Sequence, residues 1–300
     1  MGGIDFNILP ESPDDFVSVI VPIYSINARS LLYTKMCLYY LLRNGSYAHE
    51  VILVDDGSNQ ETKDYLAFAK SEFEAKKRKC ILITHEKNIG LSTALNNGYE
   101  ASSGKWIAEL CIDVIIPWGW MDLLVYYLKH NEHVGVVSGI DYFHESYLRD
   151  NNAWKLIASA RGKVEKYWDA LCDHPKNWEL YFEFCYEDAM LTAYADKVRA
   201  YTMNFVSPYV KGDHWMFTRK ALASLGRSRP WDEHYNPFWR DDSDLLMSLE
   251  REAGYEGVAI GNAFVHHFGR GTLQAIENSD ALLKKNTEYF KHKWGFEPKR

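Results

Sequence analysis

The stretch Glu50 to Ser58 reads E-V-I-L-V-D-D-G-S. An apolar, β-branched run breaks abruptly into two aspartates, a glycine and a serine. The run is expected as a buried strand. Gly57 permits a sharp turn, and Ser58 or Asn59 can cap a helix running to about Lys77. The same unit recurs on both sides. Upstream, V-S-V-I-V-P (Val17 to Pro22) precedes a helical pattern over Arg29 to Arg43. Downstream, strands are expected at Cys80 to Thr84, Trp106 to Ile112 and Val134 to Ser138. Helices are expected at Gly90 to Ser102 and Trp118 to His130. Strands alternating with helices predict an α/β fold with a mostly parallel central sheet flanked by helices.

In such a sheet, ligands bind in the crevice beyond the carboxyl ends of the strands. The polar clusters fall there: Pro22-Ile23-Tyr24, Asp55-Asp56, His85 to Gly90, and Asp113. Residues 16–140 therefore read as a ligand-binding half. Residues 141–207 read as a largely helical, aromatic-rich insertion, with helical stretches near Trp154 to Leu171 and Tyr186 to Tyr201. Its aromatics suit either a packed subdomain or a stacking surface for sugars. Residues 208–300 follow as a second half. It has a strand and a short helix over Pro208 to Leu225, and a helix over Asp242 to Ala253. One or two strands lie within Tyr255 to His267, and an amphipathic helix closes the chain at Leu282 to Trp294.

Composition narrows the function. The chain has 300 residues and a formal net charge of −7, which disfavours nucleic acid as a partner. No apolar run approaches the ~20 residues of a membrane span. The polar, acidic lead-in Met1 to Asp15 does not resemble a signal peptide. The five cysteines lack paired spacing. Cys37, Cys80 and Cys111 sit in apolar contexts, the pattern of reduced thiols in a cytoplasmic protein.

Several residues are candidates for chemistry. Asp55 and Asp56 can accept from a base imide or a ribose hydroxyl, or can form an Asx turn capping the helix. Asn88, Gly90 and Asn96 begin a set of small and amide residues. Gly90 would let a pyrophosphate approach the start of a helix. Ala94, Gly98 and Ala101 share a helical face that suits close packing on a sheet. Asp113, after an apolar strand, suits a divalent cation such as Mg²⁺ or Mn²⁺, which prefers hard oxygen ligands. Asp241, Asp242 and Asp244 either satisfy a helix dipole or poise one carboxylate as a base. Of His266 and His267, adjacent on a strand, only one can face a site.

Taken in order, these segments resemble the family 2 glycosyltransferases. The matching stretches are V-S-V-I-V-P-I-Y, V-D-D-G-S, N-I-G-L-S-T-A-L-N-N-G-Y-E-A-S-S-G and I-D-V-I-I-P-W-G-W. Further on come G-D-H-W-M-F-T-R-K-A-L, W-D-E, R-D-D-S-D-L and V-H-H-F-G. The resemblance covers Val17 to Gly139 and Val210 to Gly295, and skips the middle. It implies a GT-A, Rossmann-like fold and an inverting hexosyl- or deoxyhexosyltransferase. The donor would be a nucleotide-diphosphate sugar (UDP, GDP or dTDP) and the acceptor a carbohydrate hydroxyl. Pro22, Tyr24 and Ile112 would line the nucleotide, with Asp56 or Asp55 on the base. Asp113 matches the last aspartate of the family's D-x-D metal motif, whose first position holds Cys111 here. His267 would complete the metal site. Asp242 would be the general base, beside Asp241. The segment Trp231 to Trp239 would form a mobile wall over the acceptor, with Trp120, Trp215 and Trp239 as stacking faces. Two other readings compete. One is a binder of the same fold without turnover, suggested by Cys111. The other is a nucleotidyltransferase, which usually carries a Gly-rich basic loop where this chain has P-I-Y-S-I-N.

Overall fold

The computed structural model describes residues 10–141, 206–208, 210, 212–268 and 278–297. The expected insertion at 141–207, with its two helical stretches, lies outside the described residues except at its ends. The described strands are β1 Val17–Ile23, β2 His49–Asp55, β3 Cys80–Thr84, β4 Trp106–Leu110, β5 Val114–Ile115, β6 Val134–Ile140, β7 Val206–Ser207, β8 His214–Thr218, β9 Glu256–Phe264 and β10 His266–His267. The described α-helices are α1 Ala28–Asn44, α2 Gln60–Ala75, α3 Leu91–Ala101, α4 Trp120–His130, α5 Arg219–Ser224, α6 Asp241–Arg251 and α7 Ser279–Trp294.

Eight strands form one sheet in the order β3-β2-β1-β4-β8-β6-β9-β7. Strands β1 to β4 pair in parallel, as the repeated strand–helix unit requires. Strand β8 then enters antiparallel between β4 and β6. Strand β9 runs parallel to β6 and carries β7 antiparallel on its outer edge. The sheet is thus mixed, and strands from both sides of the 141–207 segment share it. A separate ribbon pairs β5 with β10.

Side-chain alternation sets the two layers. Val17, Val19, Val21, Val51 and Leu53 face a core completed by Leu38 and Leu41 of α1, Leu66 and Phe73 of α2, and Leu124 and Leu128 of α4. Ile20, Ile52 and Val54 face the opposite core, with Ala94 and Leu95 of α3, Leu222 of α5 and Leu245 of α6. Helix starts follow the local chemistry. Asn27 caps α1, accepting from the Ser30 N–H at 2.9 Å. Asn59 caps α2, accepting from the Thr62 N–H at 3.0 Å. Ser58, the alternative cap, instead accepts from the Ser25 N–H at 2.9 Å and ties the ends of β1 and β2 together.

Helix α3 lies close on the sheet, as its small residues imply. A methyl added at Gly98 would come within 2.5 Å of Ile20 Cγ2. An exposed helical glycine gains about 1 kcal/mol on substitution by a better helix former. Here overpacking dominates, so Gly98→Val is expected to cost roughly 1–3 kcal/mol. Urea unfolding measures it, and a midpoint at or above wild type would show that α3 is not so closely seated.

At the opposite end of the strands, Asp15 is fully buried. It accepts from Lys129 Nζ at 2.6 Å, Trp106 Nε1 at 2.7 Å and the Glu11 N–H at 2.8 Å. Burial opposes its ionisation, but these donors outweigh it and hold the carboxyl down to about 2. A depressed carboxyl contributes stability above its unfolded value, near 4, that is lost as pH falls toward 2. Asp15→Asn is expected to flatten the acid limb of the stability profile between those values; an unchanged limb would count against it.

Candidate active site

Because β8 runs against its neighbours, its N-terminal end meets the carboxyl ends of β4 and β6. Leu110 pairs with His214, and the Cys111 N–H donates to the Asp213 carbonyl at 2.9 Å. The β5–β10 ribbon sets His267 opposite Val114, and the Phe268 N–H donates to the Asp113 carbonyl at 3.0 Å. Asp141 follows the last residue of β6. Five titratable side chains from four strand ends therefore converge. His267 Nδ1 lies 3.0 Å from Asp141 Oδ2 and 3.1 Å from Asp213 Oδ2, and its Nε2 lies 3.5 Å from Asp113 Oδ2. His214 Nδ1 contacts Asp213 Oδ1.

Charge divides unevenly across this cluster. Burial disfavours a protonated His267, yet Asp213, Asp113 and Asp141 raise its pKa well above the usual range. Burial also disfavours the Asp213 anion, but His267 and His214 hold it down to about 2. Asp141, Asp213 and His214 each offer a ligand atom within 4.8 Å of the others. His214 Nε2 is buried with no hydrogen-bond partner among the described residues. Crowded hard oxygens beside an unpartnered imidazole nitrogen are the donor set that a divalent cation takes. The residues present fit such an ion. Sequence reasoning named Asp113 and His267, which lie together here, and missed Asp141, Asp213 and His214. Asp141 had a readable signal, because it follows an apolar strand as Asp113 does.

Beside the cluster opens a cavity of about 110 Å³. The end of β1 lends Pro22, Ile23 and Tyr24; Asp56 and Asn88 come from the next two strand ends. Leu91 and Ala94 of α3 form one side, and Cys111 and Ile112 form another. Pro237 and Phe238 close it. Pro22, Tyr24, Asp56, Asn88 and Ile112 are thus gathered as expected from the sequence.

Other residues are placed differently. Asp55 is fully buried outside the cavity lining, and its Oδ1 accepts from the N–H of Ser58, three residues on, at 2.9 Å. Gly90 begins α3 at φ 104°, but no pyrophosphate seat remains there. The Ile89 and Gly90 N–H groups both donate to Asp56 at 2.9 Å. The Leu91 N–H donates to the Pro237 carbonyl at 2.8 Å, and the Ser92 N–H to Asn236 Oδ1 at 3.1 Å. Asn96 is buried and turned from the cavity. Its amide accepts from the Trp231 N–H at 3.0 Å and donates to the Trp231 carbonyl at 2.8 Å. Trp120 and Trp215 are 0% and 1% exposed, so neither presents a ring to an acceptor. Trp215 packs in the core and donates from Nε1 to Glu109 Oε2 at 2.7 Å. Trp239 is half-buried, with its Nε1 3.2 Å from Ser279 Oγ.

The segment 231–240 walls this cavity and is clamped from two sides. Helix α3 holds it through Asn96 and Ser92; α7 holds it through Asn286 Nδ2, which donates to the Tyr235 and Phe238 carbonyls at 2.8 Å. Asp244 adds a buried anchor, accepting from Lys293 Nζ at 2.8 Å and Trp294 Nε1 at 2.7 Å. Ahead of it in α6, Asp241 is buried and Asp242 exposed. Burial first, then the charge of Asp242, pushes Asp241 up to about 7. Burial also raises the Cys111 thiol well above its usual range, with Glu109 and Asp113 adding to it, so Cys111 is neutral.

An α/β sheet whose carboxyl-end rim joins an apolar cavity to an Asp/His cluster has the GT-A architecture. The chain belongs to Glycosyl transferase family 2, whose sequence model matches residues 18–199. It is 30% identical over 146 residues to an uncharacterised glycosyltransferase of Rickettsia bellii, covering 49% of this chain and 19% of that protein. It is 23% identical over 292 residues to a Drosophila melanogaster protein provisionally named polypeptide N-acetylgalactosaminyltransferase 13, covering 95% of this chain and 48% of that one. The chain thus spans about half or less of these relatives. A mannosyltransferase of Pyrobaculum calidifontis shares the fold at a TM-score of 0.54 and 17% identity, over 86% of this chain and 58% of its own. Among the described residues, no helix is long and apolar enough to cross a membrane.

Asn96→Ala would strand the buried N–H and carbonyl of Trp231. Each unsatisfied group costs about 1–3 kcal/mol. A loss in that range in chemical denaturation is expected; a change below about 0.5 kcal/mol would show that the wall does not depend on α3.

Proposed function

We propose that this chain transfers a sugar from a nucleotide-diphosphate sugar to a carbohydrate hydroxyl with inversion. One observation supports it above others: residues 111–113 run from the cavity wall straight into the acidic cluster. A nucleotide seated in the cavity would carry its diphosphate toward that cluster. The P. calidifontis neighbour was determined with GDP-mannose and Mn²⁺, and a second neighbour, GalNAc-T7, with UDP and Mn²⁺. Here Asp113, Asp141, Asp213, His214 and His267 would hold Mn²⁺ or Mg²⁺, which when bound offsets charge growing on the leaving diphosphate.

This chain's own groups do the rest. Pro22, Tyr24 and Ile112 sandwich the base, and Asp56 orients it. Asp242, exposed at the start of α6, takes the proton from the acceptor hydroxyl as that oxygen attacks the anomeric carbon. Asp241 behind it, with its raised pKa, limits the negative charge beside Glu109. Trp239 offers the acceptor a partly open ring.

Asp242→Asn is expected to lower kcat by about 10²–10⁴-fold with nucleotide affinity unchanged. If Asp241→Asn abolished turnover while Asp242→Asn retained it, the base would be reassigned to Asp241. Product anomers read by NMR should be opposite in configuration to the donor; retention would sink the single-displacement reading. EDTA, or Asp213→Ala, should weaken nucleotide binding in calorimetry. Intact binding with no turnover on any donor would favour the binder reading that Cys111 suggests.

A further inference from the structure

The chain enters α6 through two consecutive left-handed residues, Trp239 at φ 79° and Arg240 at φ 73°. Neither is glycine. A Cβ is disfavoured at such angles, so the turn persists only where its surroundings hold it. Two helices hold the strap that contains it, and they hold different parts. Helix α3 takes the leading part. Asn96 pairs with the backbone of Trp231, the Ser92 N–H donates to Asn236 Oδ1 at 3.1 Å, and the Leu91 N–H donates to the Pro237 carbonyl at 2.8 Å. Helix α7 takes the trailing part. Asn286, 1% exposed, donates from Nδ2 to the Tyr235 and Phe238 carbonyls at 2.8 Å and lies 3.2 Å from that of Trp239. Trp239 Nε1 lies 3.2 Å from Ser279 Oγ, and Arg240 Nε 3.1 Å from Thr287 Oγ1.

The turn leads directly into the site. The Arg240 carbonyl accepts the Asp244 N–H at 2.9 Å and opens α6, with Asp241 and Asp242 as its first residues. Asp242 is closely seated: a methyl added at Gly212 would come within 2.4 Å of its Cβ. Gly212 immediately precedes Asp213 of the Asp/His cluster. Relaxing Trp239 or Arg240 to a right-handed conformation would redirect the chain entering α6 and carry Asp242 off that seat.

We propose that Asn286 is a positioning residue for turnover: it holds the Trp239–Arg240 turn, and the turn sets Asp242 beside the cluster. The inference rests on the base role given to Asp242 above. Only the donor end of the Asn286 amide is engaged, since its Oδ1 is buried with no partner among the described residues. The side chain therefore acts through the carbonyls it ties together. Because α3 holds the strap beside the cavity and α7 holds it beside α6, nucleotide affinity follows mainly the first set of anchors and turnover the second.

The test follows nucleoside diphosphate released by the full chain from UDP-, GDP- and dTDP-hexoses, with Mn²⁺ and simple saccharide acceptors. Calorimetry with UDP, GDP and dTDP runs alongside. Asn286→Ala should lower kcat by about 10–100-fold, as expected when a reacting group is misplaced, with nucleotide Kd little changed. Equal losses in kcat and nucleotide affinity would overturn the inference. Arg240→Gly added to Asn286→Ala should restore much of kcat, because glycine adopts a left-handed φ without strain. Arg240→Ala removes the same side chain but keeps the strain, and should not. If the two behaved alike, the turn would not be what Asn286 holds, and the inference would fall. Should Asn286→Ala fail to fold, Thr287→Val removes only the Arg240 anchor. Lower kcat with nucleotide affinity kept would then support the inference, and wild-type kcat would overturn it. Wild-type kcat in Asn286→Ala, with Asp242→Asn slow, would overturn the inference and leave the base reading intact. Wild-type turnover in both Asp241→Asn and Asp242→Asn would remove the base reading and this inference with it. Absence of wild-type turnover on every donor would do the same.

Discussion

The active rim depends on one strand running the wrong way. Strand β8 lies antiparallel between two strands that are parallel to each other. Its N-terminal end therefore sits among their carboxyl ends, and Asp213 and His214 arrive beside Asp113 and Asp141. The ladder fixes this placement, since Leu110 pairs with His214 and Glu109 with Trp215. A one-residue slip would turn Trp215 out of its core and bring a neighbour in its place. Trp215, with its ring buried and its N–H on Glu109, thus acts as the register pin for Asp213 and His214.

The cavity has a corresponding pin in Asp56. Its carboxylate closes the turn before α3 by taking two backbone N–H groups, and so consumes the anion-binding capacity of that helix start. The wall segment takes the next two. The start of α3 therefore has no backbone N–H left over for an anion among Ile89 to Ser92. Cys111 and Ile112 line the same cavity and lead to the Asp/His cluster. Packing in α3 and chemistry in the cavity are in this way one arrangement: the strap that closes the cavity is bound by the same helix that α/β packing presses onto β1 and β2.

Much of this was legible in the sequence, and the failures share a cause. Strand–helix alternation located β1 to β4 and their helices, because those units are local and their signals are periodic. Pro22, Tyr24, Asp56, Asn88 and Ile112 line one cavity because parallel strands put their carboxyl ends on one rim. The antiparallel insertion of β8 is a long-range pairing that no local pattern encodes, so Asp213 and His214 were passed over as part of a strand start. Trp120 and Trp215 were misread because an aromatic suits a sugar and a core equally, and only burial separates them. Asn96 was misread for a similar reason. An amide near a glycine-rich helix start looks like a ligand-binding group, yet its two hydrogen-bonding ends match a backbone N–H and carbonyl equally well.

The same charge logic accounts for Cys111 where relatives of this type are expected to carry an aspartate. Cys111 feels Glu109, Asp113, Asp213 and Asp241. A further carboxylate there would add repulsion to a buried group of acids that already pushes Glu109 well above its ordinary range, burial being the larger cause. Burial and like charge would drive its proton back on, leaving a neutral acid rather than an anion. A thiol occupies the position without that conflict and stays neutral. At the ends of β6 and β8, Asp141 and Asp213 both contact His267, and His267 and His214 keep Asp213 ionised. Cys111 itself adds no charge to the cavity wall it lines.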